Sequence, residues 1–423
     1  MVNIPKSPLG QLLPRRAAAT VEAALADTRV VLVNGARQCG KSTLAAQLAD
    51  KYNGVMRSLD APAWRESATA DPNQFLLSNQ MLVIDEVQRV PDLLLSIKHE
   101  VDSNPRPGAF LLTGSARLMG LREVSDALPG RMETIELWPL SQGEIDQTGQ
   151  RSFIDVLFSH GTQLHFTSVD TRHSYIERLV RGGFPEAVAR ADRRRTVFHN
   201  SYVADLVNRD VMQVAQIERS VQLRQLIRLI AARSGQLLVP AHLSKETGLP
   251  VTTIRRYLVL LEEVFLIKRI PAWSRNLTQR AITTEKVAFV DSGIAASQLG
   301  YNTDGLTKQS NPLGGLLEGF VAMELARQLS WCETPAVLYH YRTKDQTEVD
   351  LILEDSRGRV VAIDVKASST PRAEDFRGIA HLESRLGNDF IAGIVLYTGT
   401  DTVPFGARRR AMPISAIWND LTT

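Results

Sequence analysis

The stretch VVLVNGARQCGKST, residues 30–43, constrains the fold more than any other segment. A β-branched apolar run leads into a loop that fits G-x-x-x-x-G-K-[ST], and a helical pattern follows. The glycines let backbone N–H groups surround phosphate oxygens, and the helix N-terminus favours the anion. The lysine of this pattern reaches the β- and γ-phosphates, and the serine hydroxyl binds Mg²⁺. The segment predicts an ATP-binding P-loop formed by Gly35, Ala36, Arg37, Gln38, Cys39, Gly40, Lys41, Ser42 and Thr43. At the variable position, Cys39 is either a tolerated small residue or a redox-active one.

The next buried strand pattern, QMLVIDEVQ, predicts the second half of this site, about 45 residues further on. We predict that Asp85 holds Mg²⁺ through water and that Glu86 orients the attacking water. A further apolar strand, GAFLLTGSARL, ends in Thr113, Gly114 and Ser115. Ser115 is our candidate for a side chain that senses the γ-phosphate, although a turn with Ser115 as helix N-cap explains it equally well.

The motifs GARQCGKST, LVIDEVQRVPDL, FLLTGSARL and LPGRMETIELWPLSQGE resemble the AAA+ ATPase module of a large prokaryotic family. Members of that family couple the module to a C-terminal domain of uncertain role, and the resemblance covers most of the chain. It implies ATP and Mg²⁺ as cofactors, and an arginine before the strand that follows the sensor region, here Arg131. Such an arginine completes the site of a neighbouring subunit, which implies a homo-oligomeric ring, with a hexamer favoured, or at least a dimer. Arg117 and Arg122 are alternatives, and Arg131 can also be an ordinary surface arginine.

The net charge of +3 conceals a basic middle. Residues 172–280 contain 19 Lys and Arg against 9 Asp and Glu, a net of +10, so the flanks sum to 3 − 10 = −7. A basic segment between acidic flanks predicts a domain that contacts nucleic acid, although solvated helix faces give the same pattern. The helices around GGFP in this segment resemble the lid of the same ATPase family, and Arg181 is a candidate for reaching the nucleotide from it.

Within the basic middle, LVPAHLSKETGLPVTTIRRYLVLLEEVFLIKRIPAW predicts a helix-turn-helix followed by the strand of a wing. The expected helices cover 241–247 and 251–264, and Gly248 begins the turn. The second helix carries two arginines near its N-terminal end, where base and phosphate contacts are usually made. The predicted DNA-contacting residues are Arg255, Arg256, Lys268, Arg269 and Arg275. A winged helix that binds protein, or that forms part of the ATPase lid, is the alternative.

Near the C-terminus, the apolar strand VVAIDVKAS carries Asp364 and Lys366 on the same face. The preceding stretch EVDLILEDSRGR predicts a strand and a tight turn, so Asp350 is expected beside them in a hairpin. The helix LGGLLEGFVAMELARQL carries Glu318 and Glu324 just upstream.

This order of acids and lysine resembles the PD-(D/E)XK nuclease core, which the C-terminal domain of the ATPase family also has. The resemblance implies that Glu318, Asp350 and Asp364 bind Mg²⁺ and that Lys366 orients or activates water at a scissile phosphate. We prefer Glu318 to Glu324 because the family motif has a Gly-rich start followed by this glutamate. The sequence departs in having Val at 349 and Asp rather than Glu at 364. A binding domain that does not cut, or a structural Asp364–Lys366 ion pair, are the alternatives.

The predicted fold class is therefore α/β, a P-loop AAA+ ATPase with a helical lid, a winged helix-turn-helix and a C-terminal restriction-endonuclease-like domain. The expected boundaries are 1–150 for the ATPase core, 151–215 for connector and lid, 216–280 for the winged helix and 281–423 for the nuclease-like domain. Two cysteines and the absence of long apolar runs predict a cytoplasmic protein without a membrane partner. The expected function is an ATP-driven motor that translocates or remodels duplex or branched DNA, with the nuclease-like domain binding or cutting it. An ATP-dependent nuclease and a signalling or scaffold ATPase are the alternatives.

Overall fold

The computed structural model describes residues 7–115, 128–208, 220–276, 284–308 and 312–422. The candidate residues Arg117 and Arg122 lie outside the described residues. The chain divides into two compact units, and the predicted four-domain division is finer than this one. The first unit comprises Met1–Leu140, Phe184–Ala189 and Glu263–Phe265. The second comprises Ser141–Gly183, Arg190–Glu262 and Leu266–Thr423.

The first unit is built on a five-stranded parallel sheet with the strand order β2-β3-β4-β1-β5. The strands are β1 Val30–Gly35, β2 Val55–Ser58, β3 Leu82–Asp85, β4 Phe110–Gly114 and β5 Met132–Leu137. The helices are α1 Ala17–Asp27, α2 Lys41–Lys51, α3 Pro62–Ala70, α4 Pro72–Leu76 and α5 Leu93–Ser103. The three central strands are buried along their whole length, as expected for a parallel sheet covered on both faces. Their carboxyl ends meet at one edge, where ligands bind in sheets of this kind.

The first glycine of the P-loop motif is also required by the sheet. Gly35 is the last residue of β1 and pairs with Leu137 of β5. A Cβ atom at position 35 would overlap the carbonyl oxygen of Leu137. Only glycine therefore lets the two strands run together up to the start of the loop.

The described helices that follow are mostly short. They are α6 Gln142–Asp146, α7 Phe153–His160, α8 Arg172–Arg181, α9 Pro185–Val188, α10 Asp192–Leu206, α11 Ser220–Ala232, α12 Pro240–Thr247 and α13 Val251–Glu263. An antiparallel hairpin of β6 Ile267–Ile270 and β7 Lys286–Phe289 comes next. The helices α14 Ser292–Gln298, α15 Thr303–Lys308 and α16 Leu313–Leu329 complete this part, and α16 covers the helix predicted from LGGLLEGFVAMELARQL.

The second unit ends in a six-stranded mixed sheet with the order β12-β13-β11-β10-β9-β8. Its strands are β8 Ala336–Arg342, β9 Glu348–Asp355, β10 Val360–Lys366, β11 Phe390–Tyr397, β12 Val403–Pro404 and β13 Arg409–Pro413. The strands β9 and β10 form the predicted antiparallel hairpin. On its other side, β10 pairs with β11 in parallel. The helix α17, Arg377–Leu386, packs on this sheet through an apolar cluster that includes Ile379, Leu382 and Phe390. In the described part of the chain, no helix is both long and apolar enough to cross a bilayer.

The packing of α17 generates a stability prediction. A Cβ atom at Gly378 would overlap the carbonyl oxygen of Glu348 in β9. We expect Gly378→Ala to lower the free energy of unfolding by about 1–3 kcal/mol, because either the helix or the strand must shift. The matched control is Gly314→Ala in α16, where a Cβ atom meets no described atom within 4 Å. Chemical denaturation of both variants checks this, and equal stabilities would contradict the proposed close contact.

Candidate functional site

The P-loop connects β1 to α2 with a backbone that glycine favours. Gly40 has φ 104° and lies immediately before Lys41, the first residue of α2. The Lys41 side chain is buried, and its Nζ donates to the carbonyl oxygens of Gly35 at 3.0 Å and Ala36 at 2.8 Å. The ammonium is thus held directly at the loop that the sequence predicts to cradle phosphates.

Two other residues hold the loop against the end of β5. The Cys39 thiol is buried and donates to the carbonyl of Leu137 at 3.2 Å, so it has a packing role. The guanidinium of Arg15 donates to the carbonyls of Cys39 at 2.7 Å and Trp138 at 2.6 Å. Arg15 was not predicted, because its partners lie far away in the sequence and no motif contains it.

Asp85 is the centre of a hydroxyl network at the carboxyl ends of the strands. Its Oδ1 accepts from Ser42 Oγ at 2.7 Å and from Thr113 Oγ1 at 2.6 Å. Its Oδ2 accepts from Ser58 Oγ at 3.0 Å. Ser58, at the end of β2, was not predicted. The predicted pair of Ser42 and Asp85 is therefore brought together, with oxygen donors of the type that Mg²⁺ prefers.

These donors suit a metal ion that is shared with a nucleotide. Mg²⁺ in such sites takes one or two protein oxygens and completes its shell with phosphates and water. Among the residues that the structure describes, no group of three or more His, Cys, Asp or Glu is arranged to hold a metal on its own.

Glu86 has a constrained backbone and a fixed carboxylate. Its φ of 60° is unusual for a non-glycine residue, and such conformations cluster at functional sites. Its backbone N–H donates to Thr113 Oγ1 at 3.0 Å. Its Oε2 accepts from Ser115 Oγ at 3.0 Å and from Gln88 Nε2 at 2.5 Å. The predicted Ser115 thus contacts the predicted Glu86, and Gln88, two positions further along the chain, is an unpredicted third member.

The candidate trans-acting residue Arg131 immediately precedes β5 and forms a two-pronged ion pair. Its Nε lies 2.5 Å from Asp102 Oδ1 and its Nη2 lies 3.0 Å from Asp102 Oδ2. The hydrogen bond from Arg131 lowers the pKa of Asp102. The lid candidate Arg181 donates from Nη2 to Gln142 Oε1 at 2.6 Å.

The five predicted DNA-contacting residues differ in the exposure of their side chains. Arg255 and Arg256 lie on the exposed face of α13, and Lys268 on β6 is partly exposed. Arg269 pairs with Glu262 at 2.6 Å and Glu285 at 3.1 Å, and Arg275 pairs with Asp389 at 2.7 Å. Arg255 and Arg256 are exposed on the second helix of the predicted motif, and this makes them the candidates best placed to meet a phosphate backbone.

The C-terminal candidates Asp350 and Asp364 interlock across β9 and β10. The backbone N–H of Asp350 donates to Asp364 Oδ1 at 2.9 Å. The backbone N–H of Val365 donates to Asp350 Oδ2 at 3.0 Å. The hairpin thus brings the two aspartates together, as the sequence predicts.

Glu318 joins them through a lysine that was not predicted. Lys286 of β7 is 1% exposed, and its Nζ lies 2.6 Å from Glu318, 2.9 Å from Glu348 and 3.2 Å from Asp350. The only sequence signal for it is a lone lysine at the start of the apolar strand KVAFV. Glu324, the rejected alternative, is buried elsewhere, where it accepts from the backbone of Gln142 at 3.0 Å and pairs with Arg327 at 2.7 Å.

The charges in this cluster perturb one another. Burial, together with the charge of Asp350, raises the pKa of Glu318 well above its usual value. The same two causes raise the pKa of Asp364 to about 7. Burial alone would lower the pKa values of Lys286 and Lys366, but the neighbouring carboxylates outweigh it and raise both. The cluster is a compact group of acids whose charge is offset by lysine.

Family comparisons place known names on these regions. A family profile described as an AAA domain matches residues 27–146, which include the P-loop, Asp85 and Glu86. Two profiles described as domains of unknown function, DUF8612 and DUF4143, match residues 172–305 and 313–417.

Three relatives were found among curated proteins. Over 367 residues the chain is 32% identical to the uncharacterized protein Rv2008c of Mycobacterium tuberculosis, covering 85% of this chain and 75% of the relative. The uncharacterized protein Mb2031c of Mycobacterium bovis gives the same figures. An uncharacterized protein of Haemophilus influenzae is 23% identical over 328 residues, covering 71% of this chain and 74% of the relative.

Solved structures with a similar fold are more distant. The Walker-type ATPase PABY2304 of Pyrococcus abyssi is 12% identical with a TM-score of 0.44, covering 70% of this chain and 99% of its own. The RuvB Holliday junction branch migration motor of Thermotoga maritima is 21% identical with a TM-score of 0.31, covering 63% of this chain and 93% of its own. The AAA domain match together with the site geometry makes this chain a nucleotide-binding ATPase, as predicted, with a P-loop fold.

The ATP site yields a prediction with two variants. Lys41→Ala should abolish nucleotide binding, because it removes the ammonium at the phosphate loop. Glu86→Gln should bind ATP but hydrolyse it at least about 100-fold more slowly, because the amide orients water without accepting its proton. Fluorescent-nucleotide binding and phosphate release measure the two effects.

The control for this pair is Glu66→Gln, on the exposed surface of α3, which should match the unchanged protein in both assays. Undiminished turnover in Glu86→Gln would show that another group orients the water.

Proposed function

Because this chain is an AAA-type ATPase and belongs to the same protein family as Rv2008c and Mb2031c, we propose that it couples ATP hydrolysis to work on DNA. The proposed work is translocation or remodelling of duplex or branched DNA, with the C-terminal domain used for binding. The observation that carries the proposal is the pair of exposed arginines on α13, Arg255 and Arg256.

The local geometry around these arginines supports a helix-turn-helix role. Helix α12 ends at Thr247, Gly248 turns the chain with φ 70°, and α13 begins at Val251. One face of α13 is buried through Ile254, Tyr257, Leu258 and Leu261. The opposite face therefore carries the two arginines near the N-terminal end of the second helix, where DNA contacts of this motif are made.

Two further features favour a nucleic acid over a protein partner. The segment 172–280 has a net charge of +10, which suits a polyanion. In the second unit, a cleft of about 780 Å³ combines aromatic and basic side chains, including Trp273, Arg275, Tyr341, Arg342, Lys344 and Arg385. Basic side chains follow a phosphate backbone, so the charge of this lining suits a polyanion, while Trp273 and Tyr341 are themselves buried core residues.

In the proposed ATPase cycle, the residues at the strand ends divide the work. The P-loop amides and Lys41 bind the phosphates. Ser42 and Asp85 would hold Mg²⁺, which supplies charge neutralisation at the β- and γ-phosphates. Ser115 and Gln88 both donate to the carboxylate of Glu86 and keep it in one orientation, from which it would accept a hydrogen bond from the attacking water.

The proposed motor is a homo-oligomeric ring, with a hexamer favoured, in which Arg131 reaches the nucleotide of the neighbouring subunit. An arginine supplied in this way stabilises the charge that develops in phosphoryl transfer. Arg131 would have to exchange Asp102 for the phosphate, since the two now form a bidentate pair.

A DNA-binding experiment tests the central proposal. We expect Arg255→Ala combined with Arg256→Ala to weaken binding to duplex DNA by about tenfold or more, and to reduce the slope of log affinity against log salt by about 1–2. Fluorescence anisotropy at several salt concentrations measures both, and DNA should stimulate ATP turnover of the unchanged protein.

The matched control is Arg193→Ala with Arg194→Ala, which removes the same charge from the exposed face of α10. If the two double variants lose the same affinity for duplex DNA, the loss reflects net charge rather than a specific contact made by α13. Absence of DNA-stimulated turnover, with an unchanged salt slope, would favour the signalling or scaffold ATPase whose α13 meets a protein.

The oligomeric site has its own test. Arg131→Ala should retain nucleotide binding and lose about 10³-fold in turnover if the guanidinium acts in trans. Asp102→Asn breaks the same ion pair but keeps the arginine, so it should retain turnover. Equal losses in the two variants would show that the pair only supports the fold. Light scattering after size-exclusion chromatography gives the number of subunits.

A further inference from the structure

We propose that the ammonium of Lys286 is the resident cation of the C-terminal carboxylate cluster, in the place that the nuclease resemblance assigns to Mg²⁺. The cluster is defined as Glu318, Glu348, Asp350 and Asp364. We infer that it binds no divalent cation and that this domain does not cleave phosphodiesters by metal chemistry.

The first support is the geometry around the nitrogen. An ammonium has three N–H donors, and Lys286 Nζ has three carboxylate partners at 2.6, 2.9 and 3.2 Å. A Mg²⁺ ion would need the same oxygens at about 2.0–2.1 Å. The Mg²⁺ ion and the ammonium would then occupy the same small space, and their like charges would repel each other. The carboxylate oxygens therefore do not fit a metal ion while Lys286 stays in place.

The second support is that Lys286 is fixed in place. Its backbone pairs with Ile270 of β6 on one side and forms a bridge to Leu237 on the other. Its side chain is 1% exposed. A lysine at a flexible surface could swing away when a metal arrives, whereas this one is built into a two-sided strand.

The third support is that the oxygens of Asp350 are already engaged. Its Oδ1 faces Lys286, and its Oδ2 accepts from the backbone N–H of Val365 at 3.0 Å. Glu348 also has two partners, because Arg342 Nη1 donates to its Oε2 at 3.1 Å while its Oε1 faces Lys286. Lys286 and Arg342 therefore share Glu348, and Lys286 also faces Glu318 and Asp350, two of the three acids that the nuclease resemblance assigns to the metal.

Metal binding without nucleotide or DNA tests this inference independently of the proposed function. Free Mn²⁺ is followed by electron paramagnetic resonance while it is titrated into the full chain and into Asp350→Asn. We expect both to bind the same amount of Mn²⁺, because the cluster takes none. A Mn²⁺ ion that the unchanged chain binds and Asp350→Asn loses would overturn the proposal.

The Lys286→Met variant tests whether the cluster can bind a metal ion once the ammonium is removed. Lys286→Met should bind about one additional Mn²⁺ per chain, since it exposes the acids without their cation, and Lys245→Met at the exposed surface of α12 should not. Lys286→Met should also unfold about 10 °C lower, and millimolar Mn²⁺ should recover part of that loss. If Lys286→Met folds and gains no Mn²⁺, the site is not metal-like and the proposal fails. If Lys286→Met does not fold, the Mn²⁺ titration of the unchanged chain and of Asp350→Asn still tests the proposal.

Cleavage gives a separate readout. Labelled duplex, single-stranded and four-way-junction DNA, incubated with ATP and Mg²⁺, should keep full length on denaturing gels with both the unchanged chain and Lys366→Ala. Shortened strands that disappear with Lys366→Ala would overturn the inference and favour the ATP-dependent nuclease.

Discussion

The carboxylate of Asp85 accepts hydrogen bonds from three hydroxyls that come from three separate segments of the first unit. Ser42 belongs to the helix after the P-loop, Ser58 ends β2 and Thr113 lies in β4. A buried carboxylate is stable only when its oxygens are satisfied, so these segments must end level with β3. The parallel pairing of the strands meets this condition, because it brings their carboxyl ends to one edge. The ATP site therefore depends on strand register as much as on its motif.

The C-terminal cluster meets the same electrostatic requirement in a different way. Around Asp85 the partners are neutral hydroxyls, which leave the negative charge available to a cation. Around Asp350 and Glu318 the partner is a buried ammonium, which offsets the charge within the chain. The two groups of buried acids therefore differ in the charge of their nearest partner.

Local sequence patterns predicted the elements whose partners are near in the chain. The P-loop, the strand ending at Asp85, the helix at 313–329 and the β9–β10 hairpin all follow from spacing and periodicity. Arg15, Gln88 and Lys286 were missed because the contacts of their side chains cannot be read from a motif, even for Gln88, which lies within QMLVIDEVQ and reaches Glu86. For Arg15 and Lys286 those partners also lie far along the sequence: Lys286 meets Glu318 and Asp350 only after α16 and β9 have folded against β7. Lys286 follows Glu285 and precedes an apolar run, and nothing in this local pattern points to acids that lie 32 and 64 residues further along the chain.

Lys286 also bears on how the proposed DNA-binding segment is connected to the C-terminal sheet. The residues after β6 pair with the edge strand β8, since Trp273 N–H donates to His340 O at 2.6 Å and His340 N–H donates to Pro271 O at 3.0 Å. Lys286, on the partner strand of β6, binds acids of α16 and β9. Backbone hydrogen bonds and a buried ion cluster thus join the hairpin after α13 to the sheet at two places. The hairpin can therefore move relative to the C-terminal sheet only if both connections break.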